Sequence, residues 1–207
     1  MEKYIYINGK KIPLTDEQVQ QIISACAEEK KKIQLADIPA GGTFMVDGMG
    51  FVVLEQNGET TAVITKKVLE TMAFGSTNNF DDSDADDYCK EFAEDLFEKI
   101  GTENVVEHSV DLTSDDGLKD YGTVNRMVSL LTAEQYRKYV NILDQHKPDS
   151  WWWLATPHST ERHGNNQWVK SVSPAGSIFI IDCFNIDNFG VRPFCILKSS
   201  IFVSSGQ

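Results

Sequence analysis

Long apolar runs are the first thing this 207-residue chain lacks. A membrane-crossing helix needs about 18 or more consecutive apolar residues, and no such stretch occurs. Charge and turn residues interrupt the opening MEKYIYINGKK, so no secretory signal is expected there. The expected location is the cytoplasm, or a particle assembled in it, and no membrane partner is expected. Cysteine is also scarce. Cys26, Cys89, Cys183 and Cys195 show no CxxC spacing, which argues against a disulfide scaffold and a zinc site and for buried free thiols. Basic residues are outnumbered, 19 Lys and Arg against 31 Asp and Glu. Phosphate binding needs a basic face, so direct nucleic-acid binding is not expected. The motifs GxSxG, GxGxxG, HExxH and the phosphate-binding P-loop are all absent. Their absence removes the usual sequence signs of a nucleophile elbow, a nucleotide site and a zinc protease.

The acids that are present are concentrated. Between Asp81 and Asp120 stand fifteen Asp or Glu and three Lys or Arg, so this segment alone carries the whole net charge of -12. A solvated acidic face is the plain reading, and attraction of a basic partner the functional one. DDSDADD invites comparison with a calcium loop. With Asp82 first, Asp84 and Asp86 fall at the third and fifth positions, but Asp87 takes the glycine position and Ala93 the glutamate position. Acids that start a helix, where its dipole favours negative charge, account better for the run. His158 and His163 are five apart between Pro157 and Gly164, a loop spacing rather than a zinc pair. No metal and no cofactor is expected.

The pattern of elements is mixed. YIYINGKKIPL alternates about Asn8-Gly9 and predicts a hairpin. Thr15 and Gln18 form a capping box before a helix with Val19, Ile22, Ile23 and Cys26 on one face. This unit, residues 1–34, is read as an N-terminal appendage, with one larger domain over 35–207. Three short strands follow, joined at Asp47-Gly48 and Asn57-Gly58. A helix then carries Cys89, Phe92, Ala93, Leu96 and Ile100 inward and stops at Gly101. A second capping box, Thr132 to Gln135, opens a helix with Tyr136, Tyr139, Val140 and Leu143 on one side. Beyond it lie strands around Trp151–Leu154, Gln167–Ser171, Ser177–Asp182 and Pro193–Leu197. Strands, helix, helix, strands is an α+β order.

Trp151, Trp152 and Trp153 stand together in the third group. In a strand the outer two point one way and Trp152 the other, and residues this large dominate packing. Core packing of at least two is expected. No basic cluster adjoins them, so membrane anchoring is disfavoured.

Three features taken together, GGTFMVDGMGFVVLE, VNRMVSLLTAEQYRKYV, and WWWLATP followed by WVKSVSPAGSI and FGVRPFCIL, resemble a family of bacterial and phage domains of unknown function. The resemblance spans residues 40 to 203. It implies a C-type-lectin-like domain, related in fold to the formylglycine-generating enzymes and to variable proteins diversified by retroelements. On that resemblance Trp151–Leu154 and Val191–Leu197 belong to the scaffold. Ser159–Gln167 and Asn185–Phe189 become display loops. Asn165, Asn166, Trp168, Asn185 and Asn188 are then the ligand-binding candidates, with Phe184 nearby, and an unidentified protein is the expected ligand. The sugar-binding motifs EPN, QPD and WND are absent, and no enzyme-specific motif surrounds Cys183 and Cys195, the only local candidates for the copper-binding cysteine pair of that fold's sulfatase-activating enzymes. No catalytic residue is assigned. The expected function is non-enzymatic recognition, associated with phage or prophage. Two alternatives stand beside it: an acidic protein that occupies a basic site on a host protein, and an enzyme on this fold. Arg192 in GVRP is expected to be buried, in an ion pair or against carbonyls.

Overall fold

The computed structural model describes residues 3–205 apart from residues 8, 30 and 31, and side chains other than those of residues 7 and 24–29. Strands β1 (Tyr4–Ile7) and β2 (Lys10–Pro13) form the antiparallel hairpin, closing through Gly9 at φ 77°. Asn8 lies outside the described residues. The first capping box is complete. Thr15 N–H donates to Gln18 Oε1 at 2.9 Å, and Gln18 N–H donates to Thr15 Oγ1 at 3.2 Å. Helix α1 (Asp16–Glu29) follows. On its expected apolar face Val19 is half-buried, Ile22 and Ile23 are exposed, and the Cys26 side chain is outside the described ones. Next comes β3 (Lys32–Gln34), which pairs not with the hairpin but with the last strand of the chain.

Strands β4 (Thr43–Val46), β5 (Met49–Asn57) and β6 (Thr60–Thr65) make the expected meander. After β7 (Glu70–Thr71), helix α2 (Asp84–Ile100) starts at Ser83, whose Oγ accepts the Asp86 N–H at 3.1 Å. Gly101, at φ 84°, ends it. Short strands β8 (Val105–Val106), β9 (His108–Asp111), β10 (Thr123–Arg126) and β11 (Val128–Ser129) lead to helix α3 (Ala133–Leu143), capped by Thr132 and Gln135. The tryptophan strand β12 (Trp151–Pro157) is followed by β13 (Trp168–Val172), β14 (Ile178–Asp182), β15 (Phe189–Val191), β16 (Phe194–Lys198) and β17 (Phe202–Ser205).

Two sheets dominate. The larger runs β11-β16-β6-β5-β4-β17-β3, with β8 also on β16, and is antiparallel throughout. The smaller runs β14-β13-β12-β15-β7, with one parallel pair, β12 and β15. β9 and β10 form a separate ribbon, and the N-terminal hairpin is a fourth sheet. The class is α+β, built mainly from antiparallel sheets with three α-helices among the described residues. Among the described residues no helix is long and apolar enough to cross a membrane.

Strand alternation divides the interior into two cores. Phe51 and Val53 of β5 join Cys89, Phe92 and Leu96 of α2, while Val52 and Leu54 join Tyr136, Tyr139 and Leu143 of α3. The helices therefore cover opposite faces of the large sheet, as a period of two in a strand requires. β12 repeats the division: Trp153 enters the α2 core with Trp151 packed beside it, and Trp152 enters the α3 core.

The GVRP segment holds the two sheets and α3 together. A Cβ on Gly190 would lie 2.1 Å from the Glu70 carbonyl oxygen, so only glycine permits this approach of β15 to β7. Arg192 is fully buried, and its contacts are carbonyls rather than an acid. Nε donates to Thr65 O at 2.9 Å and Nη2 to His146 O at 3.1 Å, while the guanidinium lies 5.1 Å from the Trp152 ring. Burial pulls its pKa down to about 10, which leaves it a cation at neutral pH. His146 follows α3, where the negative end of the helix dipole stabilises a cation.

Candidate functional site

The candidate residues gather at one end of the small sheet, around its open edge strand β14. Backbone bonds set which way each β14 residue faces. Cys183 N–H donates to Gln167 O at 2.7 Å and Ser173 N–H to Ser177 O at 2.9 Å, and the register between them pairs Val169 with Ile181 and Ser171 with Phe179. The odd-numbered residues of β14 therefore bond to β13. The amides and carbonyls of Ile178 and Ile180 face the open side, where no described strand pairs with them.

Apolar side chains surround that edge on both faces. Phe179, 45% exposed, lies on the face of Trp151, with ring centroids 5.0 Å apart in a T-shaped contact. Ile180 and Trp168 are exposed on the other face, Ile180 opposite Lys170 and Trp168 opposite Asp182. Phe184 and Ile186, the latter 66% exposed, extend the patch into the next loop. Natural edge strands are usually blunted by lysine, proline or a bulge, and β14 has none of these.

The asparagines shape the turns at the rim of this patch. Asn165 Oδ1 accepts from the backbone N–H of Gln167 (3.4 Å) and Trp168 (3.3 Å). Asn166 O accepts from Asn78 N–H at 2.8 Å. Asn185 Oδ1 accepts from Asp187 N–H at 2.8 Å. Asn188 is exposed and sits at φ 64°, a left-handed conformation that asparagine tolerates better than most residues. Trp168 alone of the five offers a large exposed surface. The sequence reading missed Phe179, Ile180 and Ile186. The signal for Phe179 and Ile180 was an uninterrupted IFII with no alternation of polar residues, which marks either a strand buried on both faces or an exposed one awaiting a partner.

The first part of the expected display loop is anchored instead. Ser159 and Thr160 are buried. Ser159 Oγ donates to Asp116 Oδ2 at 2.7 Å, Thr160 Oγ1 to Asp120 Oδ2 at 2.6 Å, and Arg162 also bonds Asp120. Nearby, Lys170 Nζ lies 2.6 Å from Asp115 Oδ2. This corrects the sequence reading twice. Ser159 and Thr160 are not on display, and the acidic segment is not a uniformly solvated face. Asp86 is fully buried, held by Arg126 Nε at 2.7 Å and Lys90 Nζ at 2.8 Å.

Among the described residues the candidate Ser, His and Asp groups do not assemble into an exposed nucleophile and base. Asp116 accepts from Ser114 Oγ (2.5 Å) and Ser159 Oγ, with His163 Nδ1 at 3.0 Å, but neither hydroxyl bonds the imidazole. These contacts hold the Asp116 carboxyl well below the usual carboxylate range, Ser114 contributing most. His108 Nε2 lies 2.8 Å from Ser129 Oγ, yet Ser129 is fully buried and its hydroxyl donates to the Leu130 carbonyl at 3.0 Å. Burial lowers the His108 pKa to about 4. Cys89, Cys183 and Cys195 are buried free thiols. Desolvation raises Cys183 to about 11 and Cys195 to about 12, so neither is a thiolate at neutral pH. Among the described residues, no group of three or more His, Cys, Asp or Glu is placed to hold a metal ion.

Comparison with protein-family models, with curated protein sequences and with solved structures gave no match.

Proposed function

We propose that this chain is a non-enzymatic recognition module that takes a protein ligand along the open edge of β14. The observation that carries the reading is the coincidence of open backbone groups at Ile178 and Ile180 with exposed Phe179 and Ile180 on the two faces of one edge strand and exposed Trp168 beside it on β13. An extended ligand segment added there extends the small sheet by one strand. Main-chain bonds supply affinity, and the flanking side chains select among ligand residues. Asn165, Asn166, Asn185 and Asn188 set the turns that carry Trp168, Phe184 and Ile186, and the rim they form supplies further polar contacts. The buried thiols and the unassembled Ser, His and Asp groups support binding over catalysis. The finer fold, a C-type-lectin-like domain of phage or prophage association, rests on the sequence resemblance.

The test is selection of peptides from a random display library against the wild-type protein, followed by titration of the selected peptides. Trp168→Ala and Ile180→Pro are expected to weaken binding by at least about tenfold, one by removing an anchor and the other an outward N–H. Peptides that bind both variants as tightly as wild type contradict the reading.

A second reading has its own observation. The outward face of α2 keeps Asp84, Asp87, Glu91, Glu94, Asp95 and Glu98 exposed. An acidic protein of this kind steers toward a basic site on a partner, and that association weakens as salt rises. Pull-down from host lysate at low and high salt tests it, and a partner set unaffected by salt contradicts it.

A further inference from the structure

A cleft on another part of the molecule carries positive charge against the trend of the chain. One wall is Lys66, Lys67 and Val68, where the chain leaves β6, and the other is the turn after α3, with His146, Lys147 and Ser150. Its volume is about 420 Å³. A second cleft of about 790 Å³ adjoins it, sharing Lys66 and Lys67 and lined by the apolar Met45, Met49 and Leu69. The Lys66 stem crosses Gly50 beside the Met45 sulfur, since a Cβ on Gly50 would lie 3.5 Å from both Lys66 Cδ and Met45 Sδ. The two lysines thus stand where an apolar channel meets a cationic one.

Nearby acids leave two of the three lysines unmatched. Asp47 in the apolar cleft is paired with Lys99 at 2.9 Å, and Lys147 is paired with Asp144 at 3.2 Å. Asp149 is the other carboxylate on the lining. Among the described residues Lys66 and Lys67 form no ion pair. Behind the walls lies Arg192, which bonds the carbonyls of Thr65 and His146 and so fixes one wall to the other. Thr65 Oγ1 donates to the Lys67 carbonyl at 2.8 Å and holds the same turn. Among the described residues Arg192 Nη1 has no hydrogen-bond partner, and no carboxylate forms a hydrogen bond or ion pair with this buried guanidinium. The site is therefore built by the fold, and among the described residues the ammonium groups of Lys66 and Lys67 are not consumed by it.

We infer that this pair of clefts binds an anionic amphiphile, with its carboxylate or phosphate head between Lys66, Lys67 and Lys147 and its apolar chain along Met45, Met49 and Leu69. Pockets of this kind are largely apolar, with a few convergent polar groups that fix orientation. Charge-assisted hydrogen bonds from ammonium groups supply the selectivity for an anion.

The experiment is calorimetric titration of the full chain with dodecanoate, dodecyl phosphate and the uncharged dodecanol, with inorganic phosphate as a headgroup control. Dodecanoate and dodecyl phosphate are expected to bind at one saturable site, dodecanol and inorganic phosphate at least about tenfold more weakly. K66E/K67E reverses two exposed charges, and circular dichroism confirms its fold. It is expected to weaken dodecanoate by about tenfold or more, while K66R/K67R retains binding. Three results overturn the inference: no saturable binding of either anion up to about 1 mM, dodecanol binding as tightly as dodecanoate, or K66E/K67E binding dodecanoate at the wild-type affinity.

Discussion

Trp152 and Trp153 are neighbours in the chain and belong to different cores. Trp152 packs edge-on against Tyr136 of α3, with ring centroids 5.7 Å apart. Trp153 stacks on Phe189 at 4.7 Å in the core that contains α2. Their indole N–H groups also differ. Trp153 Nε1 donates to Met72 O at 2.9 Å, whereas Trp152 Nε1 is buried with no partner. Trp153→Phe is therefore expected to cost more than Trp152→Phe, by about 1 kcal/mol, because it leaves the Met72 carbonyl unmet. Either change to alanine is expected to cost about 3–5 kcal/mol. Urea unfolding of the four variants checks the order.

Arg192→Met retains length and removes the guanidinium. The carbonyls of Thr65 and His146 then lose their donors inside the protein. The expected loss is about 2–4 kcal/mol, since unmet buried acceptors cost about 1–3 kcal/mol each and removal of the buried cation offsets part of this. Thermal melting measures it, and each kcal/mol corresponds to roughly 2–4 °C for a chain of this size.

His108 gives a specific pH dependence. Burial lowers its pKa from 6.5 to about 4, so it is neutral in the folded state across that range. As pH falls through 6.5 the unfolded chain takes up a proton that the folded chain does not. Stability therefore declines from pH 6.5 to about 4, and the total loss is on the order of 3 kcal/mol. Urea midpoints at pH 7.0, 5.5 and 4.5 are expected to fall in that order for wild type and to fall less steeply for His108→Gln.

Within one acidic helix turn, the carboxylates are unequal. Asp86 is buried between Arg126 and Lys90, while Asp84 and Asp87 are exposed. Asp86→Asn leaves Arg126 without its principal charge partner and is expected to cost about 3–5 kcal/mol. Asp84→Asn is expected to fall within about 0.5 kcal/mol of wild type. Melting temperatures of the two variants separate these expectations directly.

Much of the local structure was legible because it obeys short-range rules. Thr15 with Gln18 and Thr132 with Gln135 both form the reciprocal caps that their spacing predicts, and Gly101 ends α2 at a positive φ. The alternation of Trp151 to Leu154 likewise follows from strand geometry. What could not be read depends on contacts far apart in sequence. Asp86 looks like its neighbours until Arg126, forty residues on, is placed against it. Ser159 looks like a display residue until Asp116 is docked on it. The apolar IFII of β14 reads like any buried strand, and only the strand order reveals that no described strand pairs with its outer edge. For the same reason the sequence does not show that Asn165 and Asn185 use their side-chain oxygens on their own turns.

The central claim is that a ligand strand pairs with β14, and amide hydrogen exchange at Ile178, Ile180 and Asp182 tests it most directly. In the free protein the Ile178 and Ile180 amides face the open edge and are expected to exchange quickly, whereas those of Phe179 and Ile181 bond to β13 and are expected to exchange slowly. With a selected peptide bound, exchange at Ile178, Ile180 and Asp182 is predicted to slow by at least about tenfold, with little change at Phe179 and Ile181. Saturating peptide that leaves these three amides exchanging at the free rate, while protecting residues elsewhere, would contradict the account.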